Sequence, residues 1–252
     1  MLLGIDHLVI AVRDPDAAAD MLGRDLGIAW TGGGRHDAWG TFNRLAFLGD
    51  TYLELIGVFD RSLVASSGSA VGRASLAVLD LGREGLATSA LATDDIAGDV
   101  DRLRASGSRI APPVDGARVR PDGEVVRWRT AAGSLGPSEP PFLIEHEDAG
   151  AEWGEDARIA RAAFEHPGGG RVRLGRLEVV TSDPGASADA WRRTIGLAFE
   201  ASDDAGVVAR IGAQRIRLSQ GSGDAPVVDL AGTGWRRAFD HERFGIRWRC
   251  SA

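Results

Sequence analysis

The stretch from Gly4 to Pro15 reads GIDHLVIAVRDP, and it decides the fold. Its apolar residues predict a strand near residues 5–12, in which His7 is the histidine. Asp14 and Pro15 then supply a helix N-cap and a proline at the first helical position. We therefore predict a strand that leads directly into a helix, and the neighbours of His7 in the fold decide its chemistry.

The same frame returns as GRLEVVTSDP over Gly175–Pro184, and a middle copy begins at Gly85. Thr88 and Arg176 stand in these copies where His7 stands in the first. The chain is therefore built from repeats that carry different chemistry at one shared position.

Strand-like segments follow each predicted helix, so each repeat has the order strand, helix and several strands. In the first repeat, period-two alternation places Tyr52 and Glu54 on one face of the last strand. Glu145 in the middle repeat and Arg217 in the third take comparable positions. A carboxylate on an apolar strand needs a cation, a hydrogen-bond donor or a metal.

The composition limits the classes of function. A chain of 252 residues that is 44% hydrophobic is long enough to bury a sizeable core. It has neither a membrane-spanning run nor a signal peptide pattern, which predicts a cytoplasmic protein with no membrane contact. A net charge of -7 argues against nucleic acid and favours a small-molecule partner. All 29 basic residues are arginine, which excludes Schiff-base lysine chemistry and the lysine of a P-loop.

The order of these features resembles the vicinal oxygen chelate superfamily and its glyoxalase-like domain proteins. The resemblance rests on motifs that follow one another along the chain: Ile5–Val12, Gly33–His36, Gly40–Asn43, Tyr52–Leu55, Arg120–Gly123, Arg127–Arg129 and Phe142–Glu145. It implies an α+β fold in which paired βαβββ units form cupped mixed sheets. We expect such a domain over residues 1–150, with units at about 1–65 and 84–150, then a linker over 151–172 and a partial unit over 173–252.

In metal-binding members of this superfamily, the first strand of each unit supplies a histidine and the last strand a glutamate. Carried over to this chain, the pattern implies His7, Glu54 and Glu145 as metal ligands. The fourth position falls at Ala87 or Thr88, which departs from the pattern. One imidazole and two carboxylates suit Zn, Ni, Mn, Fe or Co, which would act as a Lewis acid on a bound small molecule.

Further site residues are predicted around this set. The segment Gly32–His36 lacks the spacing of a dinucleotide-binding loop, and we interpret it as a loop over the mouth of the cup. His36 and Glu145 are the predicted catalytic residues, by acid–base chemistry for His36. The predicted substrate-binding residues are Thr41, Asn43, Thr88, Arg120 and Trp128.

Two functions remain open at this point. The first is a metal-dependent lyase, isomerase or dioxygenase, and the second is a metal-free protein that binds a small molecule or confers resistance to one. His7 also suits a purely hydrogen-bonding role, and arginines of the middle repeat suit pairing with Glu54 and Glu145 in place of a metal. Alternation places His146 opposite Glu145, so it is not predicted as a ligand. Paired units complete a cup within one chain or across a homodimer.

Overall fold

The structure, a computed structural model, describes residues 1–120, 122–202, 206–222, 225–235 and 238–251. The elements of its N-terminal part are β1 (Leu2–Ala11), α1 (Pro15–Leu26), β2 (Gly32–His36), β3 (Thr41–Leu48), β4 (Thr51–Val58), α2 (Arg61–Ser66), α3 (Ala70–Asp80), β5 (Gly85–Thr93), α4 (Ile96–Ala105), β6 (Val114–Val119), β7 (Val125–Ala131) and β8 (Phe142–His146).

The segment predicted as a linker contains two helices, and a second group of strands follows it. These elements are α5 (Gly150–Trp153), α6 (Glu155–Ala163), β9 (Arg171–Thr181), α7 (Pro184–Ile195), β10 (Glu200–Ser202), β11 (Gly206–Ile211), β12 (Gln214–Gln220), β13 (Val227–Thr233), β14 (Phe239–Arg243) and β15 (Ile246–Ser251). No helix in the described part of the chain is long and apolar enough to span a membrane.

Local sequence signals explain the boundaries of the repeated helices. The Asp14 carboxylate accepts hydrogen bonds from the backbone at the start of α1, and the helix ends at Gly27, whose φ of 70° is left-handed. Asp183 caps α7 in the same way, and Gly196 ends it with a φ of 74°. The predicted repeat of a strand and a capped helix is therefore confirmed.

The first eight strands close into a barrel in the order β1-β4-β3-β2-β6-β7-β8-β5. Within it, β1 runs parallel to β4 and antiparallel to β5, while β5 runs parallel to β8. This is the predicted arrangement of two paired βαβββ units. The pairing between β2 and β6 involves one residue pair, Arg35 with Val119.

The remaining strands form a seven-stranded sheet in the order β10-β11-β12-β9-β13-β15-β14. The pairing rule of the barrel returns here, because β9 runs parallel to β12 and antiparallel to β13, and β13 runs parallel to β15. β9, α7 and β10 to β12 follow one another in the same order of strand, helix and strands as each unit of the barrel. The strands β13 to β15 extend this series in the manner of a further unit.

One hydrophobic core joins the two sheets. Leu8 and Ile10 of β1 and Leu177 of β9 belong to the same buried cluster, together with Trp191 of α7. Near this boundary the side chain of Gln214 accepts a hydrogen bond from the backbone N–H of Ile5 at 2.6 Å. The outer faces of the sheets are therefore packed together, and the inner face of the barrel is left to form a site.

Candidate functional site

A cavity of about 460 Å³ opens inside the barrel, and we call it the cup. The lining side chains that matter here are His7, His36, Trp39, Thr41, Asn43, Tyr52, Glu54, Val71, Arg118, Trp128, Phe142, His146, Glu152 and Trp153. Most of them come from barrel strands, and the first turn of α3 supplies Val71. A volume of this size lies in the range of sites that bind small molecules.

His7 points into the cup from β1. Leu8 and Ile10 lie on the opposite face of the strand, in the core shared by the two sheets, while Val9 faces inward with His7. The Nδ1 atom of His7 lies 2.6 Å from Oδ1 of Asp6. Because an ionised carboxylate only accepts hydrogen bonds, we assign a proton to Nδ1, and Nε2 is the ring nitrogen left to meet a ligand.

Asp6 is shared by two histidines. Besides His7, it contacts Nε2 of His146, which lies 3.1 Å from both of its carboxylate oxygens. Burial alone would raise the pKa of Asp6, but the charges and hydrogen bonds of His146 and His7 outweigh burial and hold this pKa well below its usual range. Sequence reasoning missed Asp6, because a register shift between Ile5 and His7 leaves it without a paired residue on β5.

Glu54 faces His7 across the polar end of the cup. Its Oε2 lies 3.6 Å from Nε2 of His7, and its Oε1 accepts a hydrogen bond from Nδ2 of Asn43 at 2.6 Å. Tyr52 and Ile56 line the cup on the same face of β4, which confirms the predicted alternation of this strand. The Tyr52 ring stacks on the His7 ring with centroids 4.4 Å apart. A basic nitrogen and a carboxylate oxygen are therefore held in front of each other.

His36 lies on a strand and not on a loop. The segment Gly32–His36 pairs with β3 along its whole length, so its interpretation as a loop over the mouth was wrong. Nδ1 of His36 lies 2.9 Å from Oγ1 of Thr41, and its ring contacts those of Trp39 and Trp128. Burial lowers the pKa of His36 to about 4. Its ring is therefore neutral at pH 7 and suits a hydrogen bond to a ligand better than proton donation.

Glu145 does not lie in the cup. Its Oε2 accepts a hydrogen bond from the backbone N–H of Ile96 at the start of α4, at 2.9 Å, and another from Arg129 at 2.7 Å. The structure thus separates Glu145 from His7 and Glu54, and its predicted roles as ligand and catalytic residue are corrected. Glu145 instead pairs with Arg129, an arginine of the middle repeat, which is the alternative that the sequence left open.

The face of β8 that was predicted to point away from the cup is the face that lines it. Phe142, Ile144 and His146 line the cup, whereas Leu143 packs into the shared core. Residues 142–144 are apolar on both faces, so alternation in the sequence does not reveal which face is inward. The placement of His146 away from the cup was therefore wrong. Its ring stacks on Trp153 with centroids 3.6 Å apart.

Thr88 occupies the place of His7 in the second unit. The antiparallel pairing of β1 with β5 sets His7 opposite Ala90 and Val9 opposite Thr88, as a local twofold relation requires. Thr88 is buried, and its hydroxyl lies 3.5 Å from the carbonyl oxygen of Ser89. Thr88 does not line the cup, so its position does not support the predicted contact with a substrate.

Phe142 occupies the corresponding place of Glu54. Glu54 pairs with Val9 on β1, and Phe142 pairs with Ala90, the residue that the twofold relation exchanges with Val9. Within the described ranges, no group of three or more His, Cys, Asp or Glu side chains is arranged to hold a metal ion. The residues present do not fit the metal site that the resemblance implies, since His7 and Glu54 are left with Thr88 and Phe142 as the other members of the set.

A buried ion pair forms one side of the cup. Nη2 of Arg118 lies 2.6 Å from Oε2 of Glu152, and both side chains are buried. Sequence reasoning missed Glu152, because α5 supplies it from the predicted linker. Arg120, a predicted substrate-binding residue, contacts Glu152 at 3.2 Å and Asp122 at 3.0 Å and does not line the cup. Pro121 of the same motif lies outside the described residues.

Comparisons with known proteins agree with this architecture. A family model described as a glyoxalase-like domain matches residues 5–195. A hypothetical protein from Staphylococcus aureus has a similar structure, with a TM-score of 0.80, 16% identity and coverage of 98% of both chains. A comparison with curated protein sequences finds no match.

Two enzymes are also similar in structure. A mutant of 4-hydroxymandelate synthase from Streptomyces coelicolor has a TM-score of 0.56 and 13% identity, covering 92% of this chain and 71% of that one. Methylmalonyl-CoA epimerase from Mycobacterium tuberculosis has a TM-score of 0.42 and 22% identity, covering 57% of this chain and 88% of that one. The first of these supports the fold alone.

The family model covers most of the chain, and it includes the barrel strands and helices that build the cup. The repeated units, their pairing and the inward-facing cup are the features that the sequence led us to expect of this fold. The chain therefore belongs to the glyoxalase-like domain family.

Proposed function

We propose that this protein binds a small, flat and mostly apolar molecule in the cup, and that a polar group of this molecule meets His7 and Glu54. One observation carries the proposal: a cavity of about 460 Å³ combines aromatic walls with two reactive groups at one end. Trp128 and Phe142 supply apolar wall, and such walls with few polar groups are typical of small-molecule sites. Thr41, Asn43 and Trp128 stay as proposed contacts to the bound molecule.

The polar end supports acid–base chemistry on the bound molecule. Asp6 holds the Nδ1 proton of His7, which leaves Nε2 as an acceptor facing Oε2 of Glu54 at 3.6 Å. Two acceptors that face each other favour a proton, or a hydroxyl or N–H group of a ligand, between them. We propose that His7 and Glu54 take up and return a proton of the bound molecule, and that Asn43 orients Glu54.

A metal-dependent lyase, isomerase or dioxygenase is the second candidate. The 3.6 Å between His7 and Glu54 favours it, because two ligands of one cation are separated by a similar distance. Thr88 and Phe142 weigh against it, since neither supplies the histidine or glutamate expected there. The metal-free site is therefore the function that we propose first. The cytoplasmic location and the homodimer stay predictions.

Filling the cup tests the proposal. Val71 of α3 lines the cup, and Val71→Trp is expected to abolish binding of anilinonaphthalene sulfonate, an aromatic probe with one sulfonate group, by occupying the space of its rings. The matched control is Ile159→Trp, because Ile159 lies on α6, is 61% exposed and does not line the cup. Binding is measured from energy transfer between the tryptophans of the cup and the probe.

The two possible outcomes of this binding experiment show whether the probe binds in the cup. Wild type and Ile159→Trp are expected to bind one probe molecule per chain with the same affinity, and Val71→Trp to bind none. Equal binding by Val71→Trp and Ile159→Trp would place the probe elsewhere and contradict the proposal. Thermal unfolding of each variant checks that it is folded.

A further inference from the structure

Three arginines stand side by side on the exposed face of the C-terminal sheet, and we call them the arginine row. Arg210 of β11 is paired directly with Arg215 of β12, and Arg215 is paired directly with Arg176 of β9. Paired residues on neighbouring strands lie on one face and are separated by about 5 Å. The row therefore holds three positive charges over a distance of about 10 Å.

Folding of the sheet does not explain the row. The opposite face of the same strands carries Ile211, Ile216 and Leu177, which are buried in the shared core. Burial of that face therefore stabilises the sheet, and any polar residue on the exposed face would be compatible with folding. Like charges set directly opposite each other on neighbouring strands destabilise a sheet, so the row is a cost to stability.

The carboxylates nearby do not neutralise the middle of the row. Arg176 pairs with two carboxylates: its Nε donates to Oδ2 of Asp229 at 2.7 Å, on the side away from Arg215, and its Nη2 lies 3.6 Å from Oε2 of Glu178. Within the described part of the chain, Arg210 and Arg215 have no ion pair with a carboxylate, and both are exposed. This face is positive although the whole chain carries a net charge of -7.

We infer that the arginine row binds a compact polyphosphate, meaning two or three linked phosphate groups. Guanidinium groups bind phosphate oxygens through paired hydrogen bonds, and linked phosphates place several charges within the length of the row. Charge complementarity carries this inference: a polyanion would remove the repulsion that the sheet otherwise bears. The site is separate from the cup and does not depend on the function proposed for the cup.

The test uses the full chain and tripolyphosphate as the probe, with calorimetry at low and at physiological salt. Wild type is expected to bind one tripolyphosphate, and Arg215→Gln to weaken this binding at least about tenfold. The matched control is Arg193→Gln, which removes the same charge from an exposed position of α7 and is expected to bind like wild type. Inorganic phosphate and citrate are expected to bind more weakly than tripolyphosphate.

A stability measurement shows that loss of binding is not loss of folding. Arg215→Gln is expected to raise the melting temperature at low salt, because it relieves repulsion, and the rise is expected to vanish at high salt. Absence of binding by wild type, equal weakening by Arg193→Gln, or equal affinity for citrate would overturn the inference. A dimer that depends on Arg215 and forms without tripolyphosphate would assign the row to a second copy of the chain instead.

Discussion

Arg118→Met is expected to lower the free energy of unfolding by about 3 kcal/mol, because it leaves the carboxylate of Glu152 buried without its main partner. Nη2 of Arg118 lies 2.6 Å from this carboxylate, and both residues are 5% exposed. Arg120 remains 3.2 Å from Glu152, which limits the loss to the lower end of the range for a broken buried pair. Urea unfolding followed by tryptophan fluorescence measures the change.

A double variant shows whether the loss of stability comes from the unpaired charge of Glu152. Arg118→Met with Glu152→Leu is expected to recover most of the lost stability, because no buried charge is then left alone. Arg192→Met is the control, since its ion pair with Asp189 on α7 is exposed, and we expect it to cost less than about 1 kcal/mol. If Arg118→Met costs no more than Arg192→Met, the pair does not stabilise the wall of the cup.

Folding stability is expected to fall as the pH drops from 6.5 to 4, and His36 is one cause. Burial lowers the pKa of His36 to about 4, whereas the same ring in the unfolded chain has its ordinary value of 6.5. Between these values the unfolded state binds the proton and the folded state does not, so acid favours unfolding. The stability contributed by neutral His36 is present above pH 6.5, and about 3 kcal/mol of it is lost by pH 4.

His36→Gln isolates this contribution. Glutamine retains a partner for Thr41 but does not titrate, so the slope of stability against pH between 4.5 and 6 is expected to decrease by about 1.4 kcal/mol per pH unit. His166 also has its pKa lowered to about 4 by burial, so part of the slope persists in the single variant and decreases further when His166→Gln is added. Equal slopes in wild type and His36→Gln would contradict a buried, neutral His36.

Strong local signals made the repeated elements predictable. Asp14 with Pro15 and Asp183 with Pro184 mark helices that begin where predicted, and the alternation of β4 correctly brings Glu54 into the cup. These features depend on residues close together in the sequence. Backbone geometry and side-chain period alone determine them.

The rest of the site depends on contacts that are distant in the sequence. Glu152 reaches the cup from α5 to pair with Arg118, and nothing in the sequence signals a pairing between residues separated by 34 positions. Asp6 contacts two histidines at a shift in strand register, and no residue type in the sequence predicts such a shift. Glu145 was misplaced because residues 142–144 of β8 are apolar on both faces, so the alternation of this strand does not show which face points into the cup.

The central claim is that the cup recognises a small molecule with His7 and Glu54 and without a resident metal. Elemental analysis of the protein purified without chelator, paired with anilinonaphthalene sulfonate binding before and after EDTA treatment, tests it most directly. We expect well below one metal atom per chain, the same low content in Glu54→Gln, and unchanged probe binding after EDTA. One metal atom per chain in wild type that is lost in Glu54→Gln would contradict the claim and favour the metal-dependent enzyme.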